Sequence, residues 1–181
     1  MMRCIGLFSL GASLTLLSAP VKEAAPPNIL QNPSFEEVVD GQPTAWRIDD
    51  GMSRWAEDRA VTGVRSLLVE DASKKDGSNV SSARIAVDGG QAYTIRARSF
   101  AVSGNGLGLY VRCYDAAGTY LRVSDAIAQR TLSSRKRRWT LNEFALTLPD
   151  TCTEIQVWLH SYSGSTVTTY VDDLEARKGI H

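Results

Sequence analysis

Period-two alternation of apolar and polar residues is the feature of this chain that most limits its fold. In "TEIQVWLHSY" (153–162), Ile155, Val157 and Leu159 fall on one side of an extended strand, and Gln156, Trp158, His160 and Tyr162 on the other. "LYVRCYD" (109–115) sets Leu109, Val111 and Cys113 against Tyr110, Arg112 and Tyr114. "AYTIRARSF" (92–100) sets Tyr93, Ile95 and Ala97 against Thr94, Arg96, Arg98 and Phe100. Successive side chains of a strand point to opposite faces, so these segments suit antiparallel sheets with one face on a core and the other toward water. Further β-rich runs lie at 64–71, 82–90, 138–150 and 166–176, and no helix-period stretch of convincing length follows residue 26. "DGG", "SGNG", "DAAG", "LPD" and "SGS" separate the runs with sound turn chemistry. The pattern predicts an all-β fold, a two-sheet antiparallel β-sandwich over 28–177.

Residues 1–25 read differently. Arg3 gives a short positive end, residues 4–17 are mostly apolar, and small residues follow at 18–19. The run is too short for a comfortable membrane span and has the layout of a secretory signal, cut between Ala19 and Ala25. The expectation is a secreted or periplasmic protein with a single domain over 26–181, Cys4 leaving with the leader. Lys and Arg number 20 against 20 for Asp and Glu, which gives no electrostatic reason to expect nucleic acid or an anionic membrane as partner. Hydrophobic residues at 43% exclude a disordered chain. An oxidising compartment permits a disulfide between Cys113 and Cys152. Cys113 belongs to the apolar side of its strand, whereas alternation does not set the direction of Cys152, so a bridge and two thiols both stay open.

The polar sides of these strands are not of ordinary solvent composition. They carry Trp, Tyr, His, Gln and Arg, residues that can bury the C–H face of a sugar and hydrogen-bond its hydroxyls. Trp158, His160, Gln156, Tyr110, Arg112, Tyr114, Arg96 and Arg98 are the candidate ligand-binding residues, with Trp158 at their centre. Trp46, after the Gly41–Pro43 loop, and Trp139, on the same strand side as Leu141, are expected to be buried. The basic run "SSRKRR" (133–138) reads as a solvated turn, with a grip on acidic glycans as the other reading.

Several motifs in order carry a family resemblance. They are Asn32 to Glu36 followed by Trp46, Gly63 to Leu67, Tyr93 to Arg98, Val111 to Gly118, and Tyr170 to Leu174. Together they resemble the family 4/9-type carbohydrate-binding modules, galactose-binding-like β-sandwich jelly rolls, over essentially all of 28–177. The resemblance implies a poly- or oligosaccharide partner and a fold-stabilising calcium where the first and last strands meet. Its ligands would be the Glu36 and Asp172 carboxylates and the Ser34 and Gly63 carbonyls. Calcium is a hard cation that accepts such oxygens.

Enzyme chemistry finds little support. The histidines are His160 and the terminal His181, and there is no H-x-x-x-H or C-x-x-C spacing for zinc. No G-x-S-x-G elbow or phosphate-cradling glycine loop is present. Carboxylate pairs such as Glu70/Asp71 and Asp172/Asp173 sit at turns or strand ends rather than on the aromatic side, where glycosidase chemistry would need them. A non-catalytic glycan-binding module is the first reading. A sandwich that assembles with other secreted proteins is the second, and a small glycan-active enzyme the third.

Overall fold

The computed structural model describes residues 25–124, 128–132, 134 and 137–179. Residues 1–24 of the leader, three residues of the basic run (Ser133, Arg135 and Lys136) and His181 lie outside them. Fourteen strands follow one another: β1 Val38–Val39, β2 Gln42–Pro43, β3 Trp46–Ile48, β4 Ser53–Ala56, β5 Ser66–Asp71, β6 Val80–Ser82 and β7 Ile85–Ala86. After these come β8 Ala92–Gly104, β9 Leu107–Tyr114, β10 Tyr120–Leu121, β11 Gln129–Thr131, β12 Trp139–Thr147, β13 Glu154–Ser161 and β14 Val167–Lys178. Among the described residues Ala128 alone is helical, and no helix is long and apolar enough to cross a membrane.

Two antiparallel sheets make the sandwich. One has the order β12-β8-β14-β5-β4; the other runs β10-β9-β13-β6-β3, with β11 also pairing β9 and β7 pairing β13. Between them lie the apolar sides that alternation marked out. Ile155, Val157, Leu159, Leu109 and Cys113 from one sheet meet Ile95, Ala97, Leu67, Val69 and Val171 from the other, all without solvent exposure. Each large aliphatic side chain removed from water in this way contributes about 1.5–3 kcal/mol before entropy is counted. The antiparallel sandwich is the one expected; within the run 82–90, however, only Ser82, Ile85 and Ala86 are strand residues.

One crossing decides what shares a face. β8 ends at Gly104 and β9 begins at Leu107, so the two look like a tight hairpin, yet they belong to different sheets. Gly104 and Gly106, with φ of 69° and 99°, carry the chain across the core between them.

The N-terminal stretch docks on the last strand. Ile29 N donates to Ala176 O at 2.9 Å, Ala176 N to Asn28 Oδ1 at 2.9 Å, and Leu174 N to Pro33 O at 3.0 Å. Phe35 is fully buried, 5.0 Å from the Trp46 ring, whose Nε1 donates to Asn32 O at 2.9 Å. Trp46 is therefore the buried aromatic expected. Trp139 is partly buried too, packed on Phe100 at 5.7 Å, but on the outer face of its sheet, where Leu141 beside it is 48% exposed. The inward side of β12 is instead the one with Asn142 and Leu146, the side chain amide of Asn142 being satisfied by Ser99 Oγ at 2.9 Å.

Candidate functional site

The outer face of the seven-stranded sheet gathers most of the candidate residues. Register places Tyr110, Trp158, Ser81 and Arg47 in one row across β9, β13, β6 and β3, and Arg112 opposite Gln156 in the next. Tyr110 and Trp158 have ring centroids 4.9 Å apart. The Tyr110 ring lies over Gly108, where an added Cβ would stand 2.5 Å from a ring carbon, so only a bare backbone lets it lie flat. His160 stacks on Trp158 at 4.3 Å and 16°, and the Arg112 guanidinium carbon stands 3.6 Å from the Trp158 ring centre. Trp158 Nε1 donates to Asn79 Oδ1 at 2.7 Å. His160 Nδ1 is 2.5 Å from Ser78 O; a carbonyl can only accept, so Nδ1 carries the hydrogen.

Farther along, Tyr114 donates through its hydroxyl to Gln156 Oε1 at 3.2 Å, and Gln156 Nε2 donates to Ser82 O at 2.9 Å. The Arg84 guanidinium covers the Tyr114 ring at 3.7 Å. A groove of about 560 Å³ runs along this face, lined by Arg47, Asn79, Ser81, Arg84, Arg112 and Gln156 among others. A larger, mostly apolar hollow of about 940 Å³ lies instead where residues 25–29 meet the start of β8 and the end of β14.

Six of the eight candidates thus meet on one face, and two do not. Arg96 and Arg98 belong to β8 and hence to the other sheet. There Arg96 stands between Glu143 and Glu175 on the flanking strands, and Arg98 Nε is 3.6 Å from Asp173. They are cross-strand ion pairs rather than parts of the groove. Sequence reasoning in turn missed Arg47, Arg84, Asn79 and Ser81. Arg47 was available from alternation, since its neighbour Trp46 points inward; Arg84 sits between two short strands and follows no pattern.

The four residues proposed as calcium ligands all touch or lie in the loop 61–65, on the outside of the five-stranded sheet. Glu36 Oε1 accepts from Val64 N at 3.0 Å and Arg65 N at 2.8 Å. Asp172 Oδ2 accepts from Val61 N at 2.6 Å and Thr62 N at 3.3 Å. Between these two anchors lies Gly63, with φ +62°, where a Cβ would stand 2.3 Å from Glu36 Oε1. Ser34 Oγ and Thr62 Oγ1 both donate to Asp173 Oδ1, at 3.1 Å and 2.5 Å. Asp172 is fully buried, and loss of hydration pushes its carboxyl up to about 6 against the pull of the Val61, Asp173 and Thr62 N–H groups. Among the described residues no three His, Cys, Asp or Glu side chains cluster as a metal site. Cys113 and Cys152 are both buried thiols in contact, and burial pushes Cys113 up to about 12.

Solved structures share this architecture. A family 16 carbohydrate-binding module matches with TM-score 0.58 and 20% identity over 82% of this chain and 99% of that one. The xylan-binding CBM22-1 domain of Paenibacillus barcinonensis Xyn10C gives 0.60 and 16%, over 87% and 97%. This chain has the fold of a carbohydrate-binding module. The module TmCBM61, solved with β-1,4-galactotriose, gives 0.58 and 14% over 84% and 99%. The same sandwich also occurs inside the enzymatically active domain of tailspike protein 4 from bacteriophage CBA120, with 0.64 and 13%; this chain spans 21% of its length. No protein-family model and no curated protein matches the sequence. The matches span modules of several families, so the likeness is one of carbohydrate-binding-module fold and not of the 4/9 type in particular.

Proposed function

We propose that this protein is a secreted, non-catalytic module that binds a poly- or oligosaccharide across the outer face of its seven-stranded sheet. The observation that carries the reading is the continuous array of Tyr110, Trp158, His160, Gln156, Arg112 and Tyr114 beside the groove. Aromatic edges and planar hydrogen-bonding groups in such an arrangement suit a polyhydroxylated ring, and a cluster of half-exposed aromatics marks an interaction surface. The neighbours named as carbohydrate-binding modules support it, and the apolar, signal-like stretch at 4–17 supports export. A glycan array with wild type and Trp158→Ala tests it. Binding of defined glycans by wild type and its loss in the variant are expected; an array blank for both would overturn it.

The second part of the proposal is calcium at the seam of the termini, held by the Glu36 and Asp172 carboxylates with the Ser34 and Gly63 carbonyls. The donor set fits: all are hard oxygens, both carboxylates keep lone pairs beyond those their N–H partners use, and a cation beside Asp172 would offset its lost hydration. With two carboxylates, carbonyls and water would supply the rest of the roughly six to eight oxygens calcium takes. Chelation should then lower the melting temperature. An unmoved melting curve in chelator and in added calcium would remove the ion from the proposal.

A further inference from the structure

We infer that the glycan taken by this face is acidic, an oligosaccharide bearing uronate carboxylates, with Arg112 and Arg84 as the groups that recognise the acid. The inference rests on the glycan-binding reading above and goes further, to the chemical class of sugar. A neutral pyranose stacks on a bare aromatic face. Here Trp158 and Tyr114 each carry a guanidinium on the ring. Trp158 is held between His160 at 4.3 Å and the Arg112 guanidinium at 3.6 Å. Tyr114 is 9% exposed, with Arg84 at 3.7 Å over its ring. What meets a ligand on this face therefore includes two guanidinium groups, each seated against an aromatic ring.

A guanidinium seated on a ring is already ordered, and its parallel N–H donors match a carboxylate in bidentate fashion, so little side-chain freedom is lost on binding. Charge points the same way. Three arginines line the groove, Arg47, Arg84 and Arg112, against one carboxylate, Asp49, which Arg47 already holds at 2.5 Å. Among the described residues Arg112 has no carboxylate within ion-pair distance. Arg84 is 3.5 Å from Glu154, with both side chains about 40% exposed, a solvated pair that an incoming acid can replace. Gln156 lies between the two, bonded to Tyr114 and opposite Arg112, and with Ser81 it supplies polar atoms for hydroxyls.

The test is calorimetric titration of the protein with oligogalacturonate, oligomannuronate and oligoglucuronate, each beside its methyl ester, which removes charge and leaves the sugar. Neutral xylo- and galacto-oligosaccharides and a sulfated glycan complete the set. At least one uronate should bind about tenfold or more tighter than its ester, a ratio that shrinks as salt is raised. Arg112→Gln should bring that acid down to the affinity of its ester with the melting curve unchanged, and Arg84→Gln should lower it in the same direction. Arg112→Lys, which keeps charge without the fork, should recover only part of the loss. Equal binding of acid and ester, or preference for the sulfated glycan, overturns this inference while the glycan-binding reading stands. No binding of any glycan, acidic or neutral, overturns both.

Discussion

On the outer face of the five-stranded sheet, Trp139, Phe100, Tyr170 and Leu68 stand in one row across β12, β8, β14 and β5. On the outer face of the other sheet, Tyr110 and Trp158 stand in a row with Ser81 and Arg47. Both rows are aromatic, both adjoin arginines, and their fates differ. The first is roofed by the chain itself. Arg59 lies 4.1 Å over Phe100 and 5.3 Å from Tyr170, whose hydroxyl donates to Asp58 at 2.5 Å. Asp172 and Glu36 pin the following loop by its amides, and Phe100 and Tyr170 end 9% and 8% exposed. Among the described residues, the second row meets His160, Arg112, Asn79 and Tyr162, with no loop anchored over it as at Arg59, and a groove remains beside it. An aromatic row on a sheet is thus not a site in itself. Whether a loop is anchored over it decides between a second small core and a surface left for a ligand.

That contrast can be broken first at the roofed row. Phe100→Ala should cost about 3–5 kcal/mol, as for an aromatic removed from a packed cluster. For a domain of this size the melting point should fall by roughly 10 °C, since 1 kcal/mol corresponds to about 2–4 °C. Glycan affinity should not change. A small thermal shift would mean that the cluster is surface and that the two faces do not differ.

The roof's anchor comes next. Gly63→Ala forces a side chain into φ +62° and against Glu36 Oε1, and should cost about 1–3 kcal/mol. Limited proteolysis should then cut within residues 57–65 before any other described loop. Cleavage elsewhere would show that the anchor does not hold the roof.

Asp172 supplies a pH signature of the same anchor. Its folded value, about 6, lies above the ordinary 3.8, so the folded state holds the proton more tightly than the unfolded chain. Its stabilising contribution is therefore full below about pH 4 and is lost as pH rises to about 6. Relative to Asp172→Asn, wild type should drop by about 2–4 °C for each kcal/mol across that window. Calcium added at pH 7 should restore the loss if the ion binds there. A flat difference between the two proteins would show that the seam leaves this carboxyl unperturbed.

Trp158→Ala should give the smallest thermal effect and sharpen the comparison most. The residue is half-exposed, so about 1 kcal/mol or less of stability is expected, while glycan binding should weaken at least several-fold. Several kcal/mol of lost stability with intact binding would make Trp158 the counterpart of Phe100, a core residue of its own face.

Part of this site was legible before any fold was known. Gln156, Trp158 and His160 share a side because a regular strand has period two, and Ile155, Val157 and Leu159 must go inward. The same rule placed Tyr110, Arg112 and Tyr114 outward on β9. It failed at Arg96 and Arg98 for a definite reason: alternation tells which side of a strand a residue takes, and says nothing about which sheet the strand joins. The two residues 105–106 between β8 and β9 carry the chain from one sheet to the other, so arginines that look like neighbours of Tyr110 end among Glu143, Glu175 and Asp173 on the opposite face. Alternation also left open which side of β12 meets the core between the sheets: Asn142 turns inward with its amide satisfied, and Trp139 packs outside on Phe100. The thiols follow the rule only halfway. Cys113 is inward by alternation, while its contact with Cys152 depends on the loop before β13.

By itself, then, the sequence determined the main strands, the inward and outward sets of β8, β9 and β13, and the burial of Trp46. These follow from local periodicity, turn chemistry and motif spacing. The tertiary structure alone decided the partition of strands between sheets, the roof over Phe100 and the seating of Arg112 on Trp158 and Arg84 on Tyr114. Each of these joins residues far apart in the chain or on different strands, and contacts of that kind are set by how layers pack, for which a single strand's pattern carries no information.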